Sequence, residues 1–224
     1  MSIDRRALIG LFAASAATAL AGCGGGGDYQ SPPTRFVWVL NVNPDFVSVD
    51  VSFNSTRVAT AMPFESLTLP IEVEFGTYTI GLRDRGPSGR NLLFDGFNVD
   101  NYSPSIEVFY RKGTSARLGA SPSGIVNYFD SPELLVAELD DGTGFVQTTV
   151  LPFEGSAPQA SQSLNCRLRL RRASDGVLVY DSGLRRRSGA IVIYPADPVL
   201  GYVGVVGLDY SFSDATAVRW PNIL

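Results

Sequence analysis

The sequence predicts an all-β protein, two tandem antiparallel β-sandwich domains behind an N-terminal address segment and a flexible tether. Three observations carry that prediction. Short β-branched and aromatic runs alternate with Gly, Pro, Asn and Asp punctuation along the whole body. Little of the chain shows a helical apolar period. The body also reads twice, with a period close to that of a small β domain. At 224 residues the chain is long enough for two such domains. Its 45% hydrophobic and 18% charged residues exclude a disordered or coiled-coil class.

The N-terminus comes first. Arg5 and Arg6 form a positive region, followed by an Ala- and Leu-rich stretch from Ala7 to Leu20. A stretch of fourteen residues is too short to cross a hydrocarbon core of about 30 Å, and it fits a signal-peptide core. The stretch ends in Leu20-Ala21-Gly22-Cys23, which resembles the bacterial lipobox. Residues 1–22 are therefore expected to be a lipoprotein signal peptide, and Cys23 the lipidated first residue of the mature chain. The plainer alternative is a secretory signal with a chance cysteine. Arg5-Arg6-Ala7-Leu8-Ile9 also resembles a twin-arginine export signal, with Asp4 and Gly10 departing from that pattern; a Sec signal begins the same way, so both routes stay open. Gly24 to Gly27 and Pro32-Pro33 make residues 23–34 a tether that is flexible first and stiff last. Gly24 stands where Asp favours inner-membrane retention in bacterial lipoproteins. The resemblance thus implies the outer membrane of an organism that has one, on its periplasmic or surface face. Two or more acyl groups would make the membrane a stable partner.

The strands follow in order: Arg35–Leu40, Val47–Phe53, Ile71–Phe75, Thr77–Leu82, Ser105–Tyr110, Cys166–Arg171, Val177–Tyr180, Ala190–Tyr194 and Tyr202–Tyr210. Their close spacing suits a sandwich of immunoglobulin-like or transthyretin-like kind. The repeat then orders them. Asn43-Pro44-Asp45-Phe46-Val47-Ser48-Val49-Asp50-Val51 matches Ser131-Pro132-Glu133-Leu134-Leu135-Val136-Ala137-Glu138-Leu139. Pro63-Phe64-Glu65 matches Pro152-Phe153-Glu154, Leu93-Phe94-Asp95 matches Val179-Tyr180-Asp181, and Ile106 to Tyr110 matches Ala190 to Tyr194. The offsets of 88, 89, 86 and 84 stay collinear. The first domain is placed at 35–120 and the second at 124–224, with the boundary in the small-residue stretch Gly113–Gly124. Ser131-Pro132-Glu133 looks like a helix start. Its counterpart Val47–Phe53 alternates as a strand, so 133–139 is assigned as a strand.

The first repeat resembles the bacterial envelope family called domain of unknown function 4397. The resemblance rests on Arg35-Phe36-Val37-Trp38-Val39-Leu40-Asn41, Asn43-Pro44-Asp45, Val49-Asp50-Val51 and Phe75-Gly76-Thr77-Tyr78. It covers about 35–120, and 124–195 only through the repeat, where Leu164-Asn165-Cys166 replaces the Gly-x-Tyr step. It implies an extracytoplasmic β domain and no catalytic residues.

Composition narrows the chemistry. A net charge of −4 argues against nucleic-acid binding. The absence of histidine removes Ser-His-Asp triads, Cys-His pairs and His-ligated metals. No metal and no cofactor are expected, and the chain is read as a non-enzyme. Lys112 is the one lysine, at the end of a strand. Glu72 and Glu74 lie on one strand face about 7 Å apart at the backbone, a spacing open to glycosidase chemistry but also that of an ordinary polar face. Asp140-Asp141-Gly142-Thr143-Gly144 reads as a hairpin turn, since it lacks calcium-loop spacing. Cys166 alternates with Leu168 and Leu170 and should face a core. Tyr29 and Tyr128-Phe129 are aromatic candidates for stacking on sugars.

The arginines are the strongest functional signal. Arg167, Arg169 and Arg171 share one strand face, Arg172 follows, and Arg185-Arg186-Arg187 lies one hairpin later, towards the Cys166 end. They could form an anion-binding surface for lipopolysaccharide phosphate, an acidic glycan or an acidic envelope protein. The competing reading is a solvated face neutralised by carboxylates. Residues 127–224 hold eight Arg against eleven Asp and Glu, so acid is available. The expected function is a non-catalytic binding or structural role in the cell envelope, with anionic recognition through the arginines as the alternative and hydrolysis the least expected.

Overall fold

The computed structural model describes residues 33–119, 124–159, 163–197, 200–210 and 214–224. The signal segment, Cys23, Tyr29 and most of the tether lie outside the described residues. The body is all β, and its strands form two sandwiches of two sheets each.

The first sandwich is built from β1 (Thr34–Asn41), β2 (Ser48–Phe53), β3 (Thr56–Pro63), β4 (Ser66–Leu67), β5 (Ile71–Glu74), β6 (Gly76–Asp84), β7 (Asn91–Val99), β8 (Ser105–Lys112) and β9 (Ser115–Gly119). The second uses β10 (Gly124–Asn127), β11 (Leu135–Asp140), β12 (Val146–Leu151), β13 (Ser156–Ala157), β14 (Asn165–Arg172), β15 (Leu178–Arg186), β16 (Ala190–Asp197), β17 (Tyr202–Tyr210) and β18 (Ala215–Trp220). One sheet of each sandwich, here called outer, has the order β3-β2-β6-β7 in the first and β12-β11-β14-β15 in the second. The inner sheets run β4-β1-β8-β9, with β5 also on β1, and β13-β10-β16-β17-β18. The strand orders superimpose the two repeats, with β1 matching β10, β2 matching β11, β6 matching β14 and β8 matching β16.

The antiparallel expectation holds for the outer sheets. Each inner sheet departs from it once, because β1 pairs parallel with β8 and β10 pairs parallel with β16. In both repeats the chain leaves the first inner strand for the outer sheet and returns in the same direction beside it. That is the longer connection a parallel pair requires.

Three hydrophobic cores result among the described residues. One fills the first sandwich, around Val37, Val39, Phe46, Val51, Ile80 and Phe109. A second fills the second sandwich, around Leu139, Cys166, Leu168, Tyr180, Ile191 and Val205. The third lies between the two inner sheets, where Trp38, Leu40, Ile106 and Val108 meet Val126, Val192, Tyr194, Val206 and Leu208. The molecule is therefore four sheets deep. Strands β1, β8 and β16 are buried on both faces, which explains runs such as Val37-Trp38-Val39-Leu40 and Ile191-Val192-Ile193-Tyr194. A strand with two apolar neighbours loses its polar alternation.

The stretch Gly113–Gly124 is only partly a connector. Gly113, at φ +57°, turns the β8–β9 hairpin, and β9 is an edge strand of the first inner sheet. The Ser131 hydroxyl accepts the Glu133 backbone N–H at 3.1 Å, as a helix start would, yet the chain continues as β11. Tertiary pairing with β12 and β14 overrides the local preference.

Candidate functional site

The arginine face is the first candidate. Strand β14 buries Cys166, Leu168 and Leu170 completely and turns Arg167, Arg169 and Arg171 outwards, as alternation requires. Its neighbours β11 and β15 supply acid at matching registers. Asp140 lies opposite Arg167, and Glu138 and Asp181 lie opposite Arg169. The Arg167 guanidinium donates through Nε and Nη2 to both oxygens of Asp181. Arg169 lies 3.5 Å from Asp140 and 3.9 Å from Asp181, and Arg171 3.3 Å from Glu138. Arg172 pairs with Asp175 at 2.6 Å and Glu133 at 3.6 Å. The hydrogen bond from Arg167 holds the Asp181 carboxyl below the usual carboxylate range, against the opposing effect of burial. The face is a ladder of matched charge.

The second arginine group sits where the hairpin register places it, with Arg185 opposite Cys166 and Arg186 opposite Asn165. The Arg185 Nε donates to the Ser182 carbonyl at 2.8 Å, and that of Arg187 to the Gln159 side-chain oxygen at 3.3 Å. Arg186 is exposed and lines a shallow concavity of about 250 Å³ with Arg187, Ser163, Leu164, Ser188 and Gly189. The seven arginines thus divide into four matched by carboxylates and three at the hairpin end.

The remaining sequence candidates find structural places. Glu72 and Glu74 point outwards from β5, between buried Ile71 and Val73. Asp140 to Gly144 form the β11–β12 turn, in which the Gly142 N–H donates to Asp140 at 2.9 Å and the Thr143 N–H to Asp141 at 2.9 Å. Cys166 is a free thiol within the second core, and burial pushes it up to about 11. Lys112 pairs with Glu154 at 2.7 Å. The sugar-stacking expectation for Tyr128-Phe129 is corrected. Tyr128 is buried between the inner sheets and stacks on Tyr110 at 4.1 Å, while Phe129 packs against the second core. The inner sheets stack over Tyr128, a contact with a distant part of the chain that the local sequence does not carry.

That stacking also creates a paired feature with no obvious sequence signal beyond the matched Pro-Phe-Glu triplets. Asn41 ends β1, and its side-chain amide donates to the Phe46 and Pro63 carbonyls. Asn127 ends β10, and its amide donates to the Leu151 and Pro152 carbonyls. Each Asn carbonyl then accepts the backbone N–H of the glutamate, Glu65 in the first repeat and Glu154 in the second, at 2.7 Å in both. Both glutamates adopt left-handed backbone, at φ +60° and +59°, a strained conformation for a residue with a Cβ. The strain sends each carboxylate across the seam. The Tyr194 hydroxyl of the second repeat donates to Glu65 at 2.7 Å, and the Tyr110 hydroxyl of the first donates to Glu154. Phe64 and Phe153 flank Tyr194 and Tyr110 edge-on, at 5.9 and 6.2 Å. Arg219 completes the first clasp at 3.0 Å, as Lys112 does the second. The two repeats thus embrace each other with approximate two-fold symmetry.

The chain matches no family model and no curated protein.

Proposed function

We propose that this chain is an exported, lipid-anchored protein of the bacterial cell envelope with a non-catalytic binding or structural role. The carrying observation is the order Arg5-Arg6, apolar Ala7 to Leu20, Leu20-Ala21-Gly22-Cys23 and a Gly-rich tether, set before a β body. Acylated Cys23 holds the chain at the membrane, and Gly24 in place of Asp favours the outer membrane. The resemblance to the domain of unknown function 4397 agrees with an extracytoplasmic site and brings no activity with it. The side chains best suited to catalysis support the reading by what they do instead. Cys166 packs a core, Lys112 and Glu154 close the seam, and Glu72 and Glu74 form a polar strand face.

The test is the mature N-terminus. Cys23→Ala should abolish acylation and leave the chain unprocessed or soluble, read by membrane fractionation and intact mass. An acyl-free mass for the wild-type protein, or membrane partitioning unchanged by the substitution, would remove the anchor.

A further inference from the structure

The repeat alignment and the strand registers place one residue against its twin in a telling way. Val51 corresponds to Leu139, so Ser52 corresponds to Asp140. Gly81 lies opposite Ser52, and Arg167 lies opposite Asp140. One step on, Arg83 lies opposite Asp50 as Arg169 lies opposite Glu138. The ion pair between Asp50 and Arg85, at 2.7 Å, reproduces that between Glu138 and Arg171. The two outer faces are therefore one charged design, except that Ser52 and Gly81 stand in the first where Asp140 and Arg167 stand in the second.

The missing side chain leaves a groove of about 460 Å³ on the outer sheet of the first sandwich. Gly81 and Ser52 form its floor. Arg57, Arg83, Asn91 and Leu93 stand around it. A Cβ on Gly81 would come within 2.4 Å of the Ser52 hydroxyl oxygen and 3.5 Å of a Leu93 methyl, so the space depends on glycine. The charge is left open as well. Asp50 is buried and already receives the Arg85 Nε at 2.7 Å and the Ala61 N–H at 2.9 Å. Arg57 reaches it only at 3.7 Å, with its side chain 54% exposed. Arg83 is exposed and makes no ion pair among the described residues. The face that was read in sequence as the cationic one is neutralised, whereas this one keeps Arg83 without an ion pair among the described residues and Arg57 in a single long one, to a carboxylate that Arg85 already holds.

We propose that this groove binds an acidic oligosaccharide. Two forked guanidinium groups fit the oxyanion of a carboxylated or phosphorylated sugar. Ser52, Ser55 and Asn91 offer hydroxyl and amide partners to sugar hydroxyls, and exposed Leu93 offers an apolar contact to a sugar face. The proposal gives the envelope role above a ligand, but its test does not depend on the anchor.

The test is calorimetric titration of the full mature chain in detergent, at an ionic strength near 10 mM, where screening of exposed charge is weak. The probes are trigalacturonate, phosphorylated maltotriose and neutral maltotriose. An acidic trisaccharide should bind and the neutral one should not; which acid binds better identifies carboxylate or phosphate as the source. Arg57→Gln with Arg83→Gln should weaken binding by about tenfold or more, as expected for loss of charge-assisted bonds. Gly81→Leu should do the same with both arginines retained. The triple change of Arg167, Arg169 and Arg171 to Gln should leave affinity unchanged. Because Arg57 and Arg83 are exposed, their double variant keeps the test valid even where Gly81→Leu disturbs the sheet. Absence of binding by wild type, equal binding of the neutral sugar, or loss only in the triple-arginine variant would overturn the proposal. None of those outcomes would affect the Cys23 reading.

Discussion

The two sandwiches share a strand order, an asparagine-closed turn and a reciprocal tyrosine–glutamate clasp, yet they differ at many matched positions, three of which stand out. Gly81 on the first outer sheet stands where Arg167 stands on the second. Glu107 in the first core matches Ile191 in the second, and Trp38 at the seam matches Gly124. The shared clasps serve the contact between the inner sheets, where each repeat needs the other to cover apolar surface. The three differences fall on an outer face, in a core and at the seam. The clasps stayed symmetrical while the outer faces diverged at Gly81 and Arg167, one into a filled charge ladder and the other into an open groove. A surface that no partner repeat must match is free to specialise.

The largest expected effect tests the seam. Trp38 is fully buried between the inner sheets, and its indole N–H has no hydrogen-bond partner among the described residues. Trp38→Ala should cost about 3–5 kcal/mol in denaturant unfolding through lost burial and the cavity left behind. Trp38→Phe should cost much less, since it keeps most of the apolar area and removes an unsatisfied donor. A cost below about 1 kcal/mol for Trp38→Ala would mean that the seam contributes little and that the sandwiches are independent.

Next comes the polar residue in the first core. Glu107 is buried on β8, on the strand face that alternation turns towards that core. Burial pushes its carboxyl up to about 7, although Ser105 and the Arg35 charge oppose the shift. The folded state therefore holds the Glu107 proton more tightly than the unfolded state does. This contribution is fully present below the unfolded value near 4.5 and is lost as pH rises through about 7. The full span is about 3 kcal/mol at most. Glu107→Gln should flatten stability between pH 5 and 8 by up to that amount, measured by urea unfolding at several pH values. An unchanged slope would show that folding leaves the Glu107 carboxyl no tighter in its hold on a proton.

The smallest effect tests the symmetry itself. Tyr110→Phe and Tyr194→Phe each remove one hydroxyl donor to a carboxylate across the seam. Each should cost about 1–2 kcal/mol, and the two costs should be similar. The Lys112 and Tyr110 hydrogen bonds hold Glu154 below its usual range, against the effect of burial. Stability from the Glu154 clasp is therefore present above its unfolded pKa and fades as pH falls through the lower folded value. Tyr110→Phe should cost less at pH 3 than at pH 7.

Much of the fold was legible along the chain. The strands at Arg35–Leu40, Ile71–Phe75 and Cys166–Arg171 announced themselves by apolar runs or alternation, and the repeat moved 133–139 from helix to strand. Alternation is a local property of a strand with one wet face, so sequence carries it directly. Val37-Trp38-Val39-Leu40 could be read as a buried strand in the same way, but not what covers its second face. Tyr128 for this reason appeared as a surface aromatic until the inner sheets stacked over it.

The candidate site was legible only in its ingredients. Sequence put Arg167, Arg169 and Arg171 on one face and counted enough acid to neutralise them; register then brought Asp140, Glu138 and Asp181 within reach. Gly81 carried no signal, because a glycine in a strand is silent about whether a groove lies above it. By itself the sequence determined the β class, the duplication and the inward and outward faces of the alternating strands. Only the tertiary structure decided which charges are spent, which faces are covered and where the groove opens. Those outcomes depend on strands paired from distant parts of the chain, and no local pattern specifies which residue of a distant strand arrives opposite.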